Sequence, residues 1–171
     1  CDIVRITIWE RQMQRHSFGK TGLEVSILGF GGAPVGFLET EQREVTEILN
    51  NLLDQGVNLI DTAAGYDGSE VMIGKTISHR RDDFILVSKC GRAMDGIVGE
   101  AWSAACVTNT VDRALARLQT DHLDVMLLHS CDLETLQRGR RLRPWSRRGT
   151  PEKSAFLVMQ AIMTRQPMPP S

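Results

Sequence analysis

The sequence has no excess of charge of either sign, no long apolar run and no closely paired cysteines, and each absence closes off a class of function. A formal net charge of −1 over 171 residues gives no global electrostatic reason to bind nucleic acid or an anionic membrane. No apolar stretch approaches membrane-spanning length. The amino-terminal run from Cys1 to Trp9 is broken by Asp2 and Arg5, and it lacks the basic start and continuous apolar core of a secretory signal. The four cysteines, Cys1, Cys90, Cys106 and Cys131, have neither metal-ligand spacing nor the density of a disulfide framework. The expectation is a reduced, cytoplasmic protein with no metal centre. Aromatic residues are also few, and Tyr66 is the only tyrosine.

What the chain does have is a series of apolar strands, several of which end on a reactive side chain. Val57 to Ile60 is short, apolar and preceded by Gly56, which predicts a buried strand with Asp61 at its carboxyl end and Tyr66 in the loop beyond. Phe84 to Ser88 runs into Lys89, and Leu123 to Leu128 runs into His129. If these strands are parallel neighbours, an acid, a phenol, an amine and an imidazole share one rim.

Between the strands lie amphipathic helices. In Glu41–Gln55, the residues Val45, Ile48, Leu49, Leu52 and Leu53 fall on one face, with Thr40 placed to cap the start and Gly56 the end. A shorter helix is predicted over 69–78. A third over 104–118 has the apolar face Val107, Val111, Ala114, Leu115 and Leu118. Upstream, two short extended pieces flank Gly19-Lys20-Thr21-Gly22 as a hairpin. A strand beginning near Ile27 then enters the glycine-rich stretch Gly31-Gly32-Ala33-Pro34. Strand starts near 27, 57, 84 and 123 recur at roughly the length of a βαβ unit. The fold class is therefore α/β, with a parallel sheet covered by helices. Both an open doubly wound sheet and a closed barrel satisfy this pattern, and both gather ligands at the carboxyl ends of the strands.

The rhythm stops after Glu134. Six arginines crowd residues 138–148, and the chain ends Gln166-Pro167-Met168-Pro169-Pro170-Ser171. A basic nucleic-acid tail is one reading, but aromatics other than Trp145 and any binding-module motif are missing. The expectation is no nucleic-acid partner.

The motifs Gly19-Lys20-Thr21-Gly22-Leu23-Glu24-Val25-Ser26, Leu28-Gly29-Phe30-Gly31, Asp61-Thr62-Ala63 with Tyr66, Ser69-Glu70, Ser88-Lys89-Cys90-Gly91 and Leu127-Leu128-His129 together resemble the aldo-keto reductases, in order and spacing, from about Met13 to Gly139. The resemblance implies the amino-terminal half of a (β/α)8 TIM barrel with a hairpin across its bottom. It implies NADPH-dependent, reversible reduction of a small aldehyde, ketone or sugar. The family's catalytic positions carry over as Asp61, Tyr66, Lys89 and His129, and its approach to the cofactor as Gly32, Ala33 and Asp61. Residues 1–12 are expected to be a leader, either extraneous or a frayed native arm, 13–139 a partial barrel of about four βα units, and 140–171 a tail outside the family. A complete barrel needs about 250 residues. Codons for residues 150–162 can be chosen so that a second frame spells the strand that the family carries next, so a change of reading frame near Gly139 is expected. The family's main grip on the adenosine phosphate lies in the missing half. A chain of this kind should be weakly active or inactive alone and should self-associate through open sheet edges.

The chemistry of the four residues follows from the reaction. Carbonyl reduction puts hydride on carbon and a proton on oxygen, and the protein supplies geometry and electrostatics. A free phenol, with a pKa of about 10, is a weak acid at neutral pH, and a neighbouring ammonium favours its phenolate. Tyr66 then reads as general acid, Lys89 as its activator, Asp61 as the partner of Lys89, and His129 as a donor that orients the carbonyl. Each residue alone could instead be a helix cap, a packing aromatic, a solvated amine or a core imidazole. It is their joint placement that argues for chemistry. The alternative within the same fold is a non-catalytic, nucleotide-sensing regulatory subunit.

Overall fold

The computed structural model describes residues 13–37, 41–138 and 156–161. The leader, the helix cap expected at Thr40 and the arginine-rich stretch with its proposed frame change lie outside those residues. The hairpin forms where glycine dictates it. Strands β1 (Arg15–Ser17) and β2 (Glu24–Ser26) pair antiparallel, and Gly19 and Gly22 take positive φ in the turn between them.

Five further strands follow: β3 (Gly29–Gly31), β4 (Leu59–Asp61), β5 (Ile85–Cys90), β6 (Val125–Cys131) and β7 (Phe156–Ala161). They form one parallel sheet in which spatial order equals chain order. That order has no point of reversal, so right-handed crossovers place every helix on the same side. This decides between the two architectures that the sequence leaves open. A doubly wound sheet carries helices on both faces, whereas a barrel carries them only outside.

The helices are α1 (Ala33–Phe37), α2 (Gln42–Asp54), α3 (Ser69–Ile77), α4 (Ala104–Leu118) and α5 (Leu133–Arg138). Strand alternation sorts the core. Ile60, Leu86, Cys90, Met126 and Leu128 face the helices and join Val45, Leu49, Leu53, Ile73, Val111 and Leu115 in one cluster. The intervening residues Asp61, Val87, Lys89, Val125 and Leu127 take the opposite, inner face, in register across β4, β5 and β6.

Gly56 ends α2 as expected. It sits at φ 86°, its N–H donates to Leu53 O at 2.9 Å, and Val57 N–H donates to Leu52 O at 3.0 Å. The start of α2 is Glu41, whose side chain makes no capping bond. Ile48, expected on the buried face, is 47% exposed, because only the line Val45-Leu49-Leu53 reaches the core. The helix α4 is capped by Ser103, which accepts from Cys106 N at 3.1 Å. Beyond β6 the strand–helix alternation continues: α5 follows, and β7 pairs with β6. A 3-10 turn over Ser78–Asp83 links α3 to β5.

Asn58 fixes the hairpin to the sheet. Its side chain accepts from Ser26 N at 2.7 Å and donates to Glu24 O at 2.9 Å, while its own N–H donates to Ser26 Oγ at 2.9 Å. Asn58 precedes β4, so the hairpin sits at the amino ends of the strands, opposite the end where Asp61 lies.

Candidate active site

Three of the four expected residues come from strand ends and the fourth from a tightly folded loop. Asp61 closes β4, and Lys89 is the penultimate residue of β5. His129 lies near the end of β6, within the register shift between Leu128 and Cys131 and beside Ser130, which sits at φ 57°. Such bulges cluster at sites where a strand must re-aim a side chain. Tyr66 is held by two successive turns: its N–H donates to Ala63 O and its carbonyl accepts from Ser69 N, both at 3.0 Å.

The structure brings all four together. The Lys89 ammonium donates to the Asp61 carboxylate and, at 3.0 Å, to Thr62 O. The same nitrogen stands 4.8 Å from the centroid of the Tyr66 ring, over its face. The Tyr66 and His129 rings meet edge to face, with centroids 5.8 Å apart and planes at 84°. Lys89 is buried at 5% exposure, where an ammonium without such partners would be costly. Burial pushes the His129 pKa down, the positive charges of Arg92 and Lys89 push it further, and the Asp61 carboxylate opposes them. The imidazole is therefore held neutral, and its buried Nδ1 has no hydrogen-bond partner among the described residues.

Gly32 and Ala33 sit at the same rim, after β3. Gly32 N–H donates to Asp61 O at 2.7 Å and Gly32 O accepts from Ser69 Oγ at 2.8 Å, so both backbone groups are already used. A side chain at Gly32 would meet Ser69 Oγ at 2.7 Å, on the helix side. Gly31, in register with Asp61, is different: a methyl group built there meets nothing within 4 Å. The sheet beside the Asp61–Lys89 pair is thus open at Gly31, whereas Gly29 at the start of the same strand is covered by the Leu59 side chain.

The loop 91–103 forms one wall of the mouth, and no strand-end pattern in the sequence points to it. A methyl group at Gly65 would lie 3.6 Å from His129 Cε1 and 4.0 Å from Met94 Cε, so both side chains border the same spot. Arg113 of α4 holds this wall, donating to Met94 Sδ at 2.6 Å and Asp95 O at 2.9 Å. Gly91, at φ 96°, lies under Trp102, whose ring a Cβ would reach at 2.5 Å. Cys90, Cys106 and Cys131 are buried and form no disulfide among the described residues, and burial pushes the Cys90 thiol up to about 12. Among the described residues no group of three or more His, Cys, Asp or Glu could hold a metal ion, and no helix is long and apolar enough to cross a membrane.

The chain is similar to known proteins over most of its length. Residues 27–157 match the pattern of the Aldo/keto reductase family, which extends past the Gly139 boundary read from the motifs. L-galactose dehydrogenase of Arabidopsis thaliana is 32% identical over 134 residues, covering 74% of this chain and 41% of that protein. A protein of the same plant described as a voltage-gated potassium channel subunit beta is 30% identical over 128 residues, 72% of this chain and 39% of that one. Among solved structures, the holo form of aldo-keto reductase AKR11C1 from Bacillus halodurans superposes with a TM-score of 0.69 at 29% identity, covering 88% of this chain and 51% of that chain. The chain spans about two fifths of the length of these curated relatives.

Proposed function

Because the chain belongs to the aldo/keto reductase family, a family of oxidoreductases, we propose that its rim is the catalytic part of an NADPH-dependent reductase of small aldehydes, ketones or sugars. One observation carries this reading: the Lys89 ammonium is bound to Asp61 and simultaneously faces the Tyr66 ring, with His129 at the ring's edge. A structural salt bridge needs neither aromatic neighbour.

The opening at Gly31, in register with Asp61, supports a place for the nicotinamide end of the cofactor beside Gly32, Ala33 and Asp61. The cofactor, when bound, supplies the hydride. Everything else falls to the chain. Tyr66 gives its proton to the carbonyl oxygen as charge develops there. Lys89 stabilises the phenolate left behind, and Asp61 with Thr62 O keeps the ammonium in place. His129, neutral, orients the carbonyl by hydrogen bonding rather than by charge. Three buried cysteines with no disulfide among the described residues suit a reducing, cytoplasmic setting.

The described parallel sheet has five strands where a complete barrel has eight, so the 171-residue chain alone should turn over negligibly. The test joins residues 13–138 to the second half of a solved relative's barrel. NADPH-dependent aldehyde reduction is expected, falling about 10²–10⁴-fold on Tyr66→Phe. Turnover indifferent to Tyr66→Phe would defeat the mechanism, and robust turnover by the chain alone would defeat the need for a second half. The likeness to a potassium channel subunit beta supports a second reading, a nucleotide-sensing regulatory subunit. It predicts cofactor binding without Tyr66-dependent turnover in the same chimera.

A further inference from the structure

Behind the rim, on the helix side of the sheet, two consecutive residues of α3 reach the ends of three strands. Ser69 Oγ donates to Gly32 O at 2.8 Å and lies 2.9 Å from Thr62 Oγ1. A hydroxyl has one proton, so Ser69 spends its own on Gly32 and Thr62 donates to Ser69. Thr62 N–H in turn donates to Val87 O at 2.8 Å, and Thr62 O accepts from the Lys89 ammonium at 3.0 Å. Glu70 takes the neighbouring strand: its Oε1 accepts from Ser88 Oγ at 2.8 Å, and Arg117 Nη1 of α4 stands 3.6 Å from its Oε2. Ser69, Glu70, Thr62 and Ser88 are all buried. Ser88 and Lys89 point to opposite faces of β5, so holding the Ser88 side chain fixes the direction in which Lys89 leaves the strand.

We propose that Ser69 and Glu70 are positioning residues for Lys89, clamping the carboxyl ends of β3, β4 and β5 so that the ammonium stays on Asp61 and Thr62 O. The proposal rests on the reductase reading of Lys89. Neither residue touches substrate or cofactor in this role. A buried carboxylate is costly unless it is used. Burial pushes the Glu70 pKa up, against the opposing effects of Ser88 and Arg117, and the fold keeps the group there nonetheless. A merely structural hydroxyl at Ser69 would need one partner. This one bridges two strand ends, and the carbonyl of one of its partners, Thr62, receives Lys89.

The test is competitive acetylation of the 171-residue chain followed by mass spectrometry, with Lys89 measured relative to the exposed Lys20 and Lys75. No cofactor or carbonyl is present, so the result is independent of whether the chain is an active reductase. Ser69→Ala should raise relative Lys89 labelling on the order of ten-fold, which is what the loss of one buried hydrogen-bonding link corresponds to. Ser88→Ala, which drops the Glu70 bond and leaves Ser69 in place, should move it in the same direction and decides the matter if Ser69→Ala does not fold. Thr110→Val removes an equally buried hydroxyl from α4, far along the chain from the clamp, and should leave Lys89 labelling unchanged. Unchanged labelling in both serine variants, or an equal rise in the Thr110→Val variant, overturns the proposal. Failure of the Tyr66→Phe test above would instead remove the reductase reading while leaving this measurement standing.

Discussion

His129 is kept neutral chiefly by burial, with Arg92 and Lys89 adding repulsion that Asp61 only partly offsets, so its protonation is linked to unfolding. Its folded pKa lies below the ordinary 6.5, and between those two values the unfolded chain binds a proton that the folded chain refuses. The contribution of His129 to stability is therefore complete above pH 6.5 and declines as the pH falls through 6.5 toward the folded value. Buried Glu70 works in the opposite sense: its pKa is raised above 4.5, so its contribution declines as pH rises from 4.5 toward the folded value. Urea midpoints of the chain and of His129→Gln, compared from pH 5 to pH 7.5, separate the two. The expected difference is a shallower fall in the variant as the medium is acidified. Identical slopes would show that the imidazole is not held neutral. At this scale the sequence was legible wherever an apolar run met a polar residue, which is how Asp61, Lys89 and His129 stand out. The bonds of Thr62, Ser69 and Asn58 were not legible. Apart from the Thr62–Ser69 bond, which spans seven positions, they join residues dozens of positions apart, such as Asn58 with Ser26 and Ser69 with Gly32, and leave no local pattern.

Helix α3 lies against the end of α4 with no space between them. A methyl group at Gly74 would stand 2.2 Å from Arg117 O and 2.8 Å from Leu118 C, both backbone atoms that cannot rotate away. Helix propensity alone favours alanine over glycine by up to about 1 kcal/mol, so intrinsic preference and packing point in opposite directions here. Overpacking of this kind costs about 1–3 kcal/mol and should win. Gly74→Ala is expected to lower the urea midpoint, and a raised midpoint would mean that α3 and α4 can slide apart freely. Periodicity exposes α2 and α4 in the sequence because each buries one continuous stripe, Val45-Leu49-Leu53 in the first and Val107 to Leu118 in the second. It cannot show how wide that stripe is, which is why Ile48 is solvent-facing. Nor can it show α1, whose five residues carry glycine and proline and are shaped by contact. A Cβ at Gly36 would reach Asp67 O at 2.1 Å, so that short helix is seated directly on the loop that carries Tyr66.

The sheet as a whole has two ends in the described residues. β3 has β4 as its only neighbour, and β7 has only β6. In a closed barrel these strands would each have two partners, and closure is what removes edges. The two edges are not equivalent. β3 is three residues long with glycine at two of them, a short and weakly templating edge, whereas β7 has six residues. Unpaired N–H and C=O groups along a six-residue strand recruit further strands, and parallel sheets assembled from non-local contacts are prone to this at micromolar concentrations and above. The 171-residue chain should therefore show apparent mass rising with concentration in light scattering. Amide exchange should be slowest in β4, β5 and β6, which are paired on both sides, and faster in β3. Protection of β7 should grow with concentration, since association is expected to run through that edge. A chain that stays monomeric at about 100 μM with β7 as protected as β5 would mean that the edge is covered within one molecule. The sheet would then be closed by residues outside those described, and the requirement for a second half-barrel would have to be abandoned.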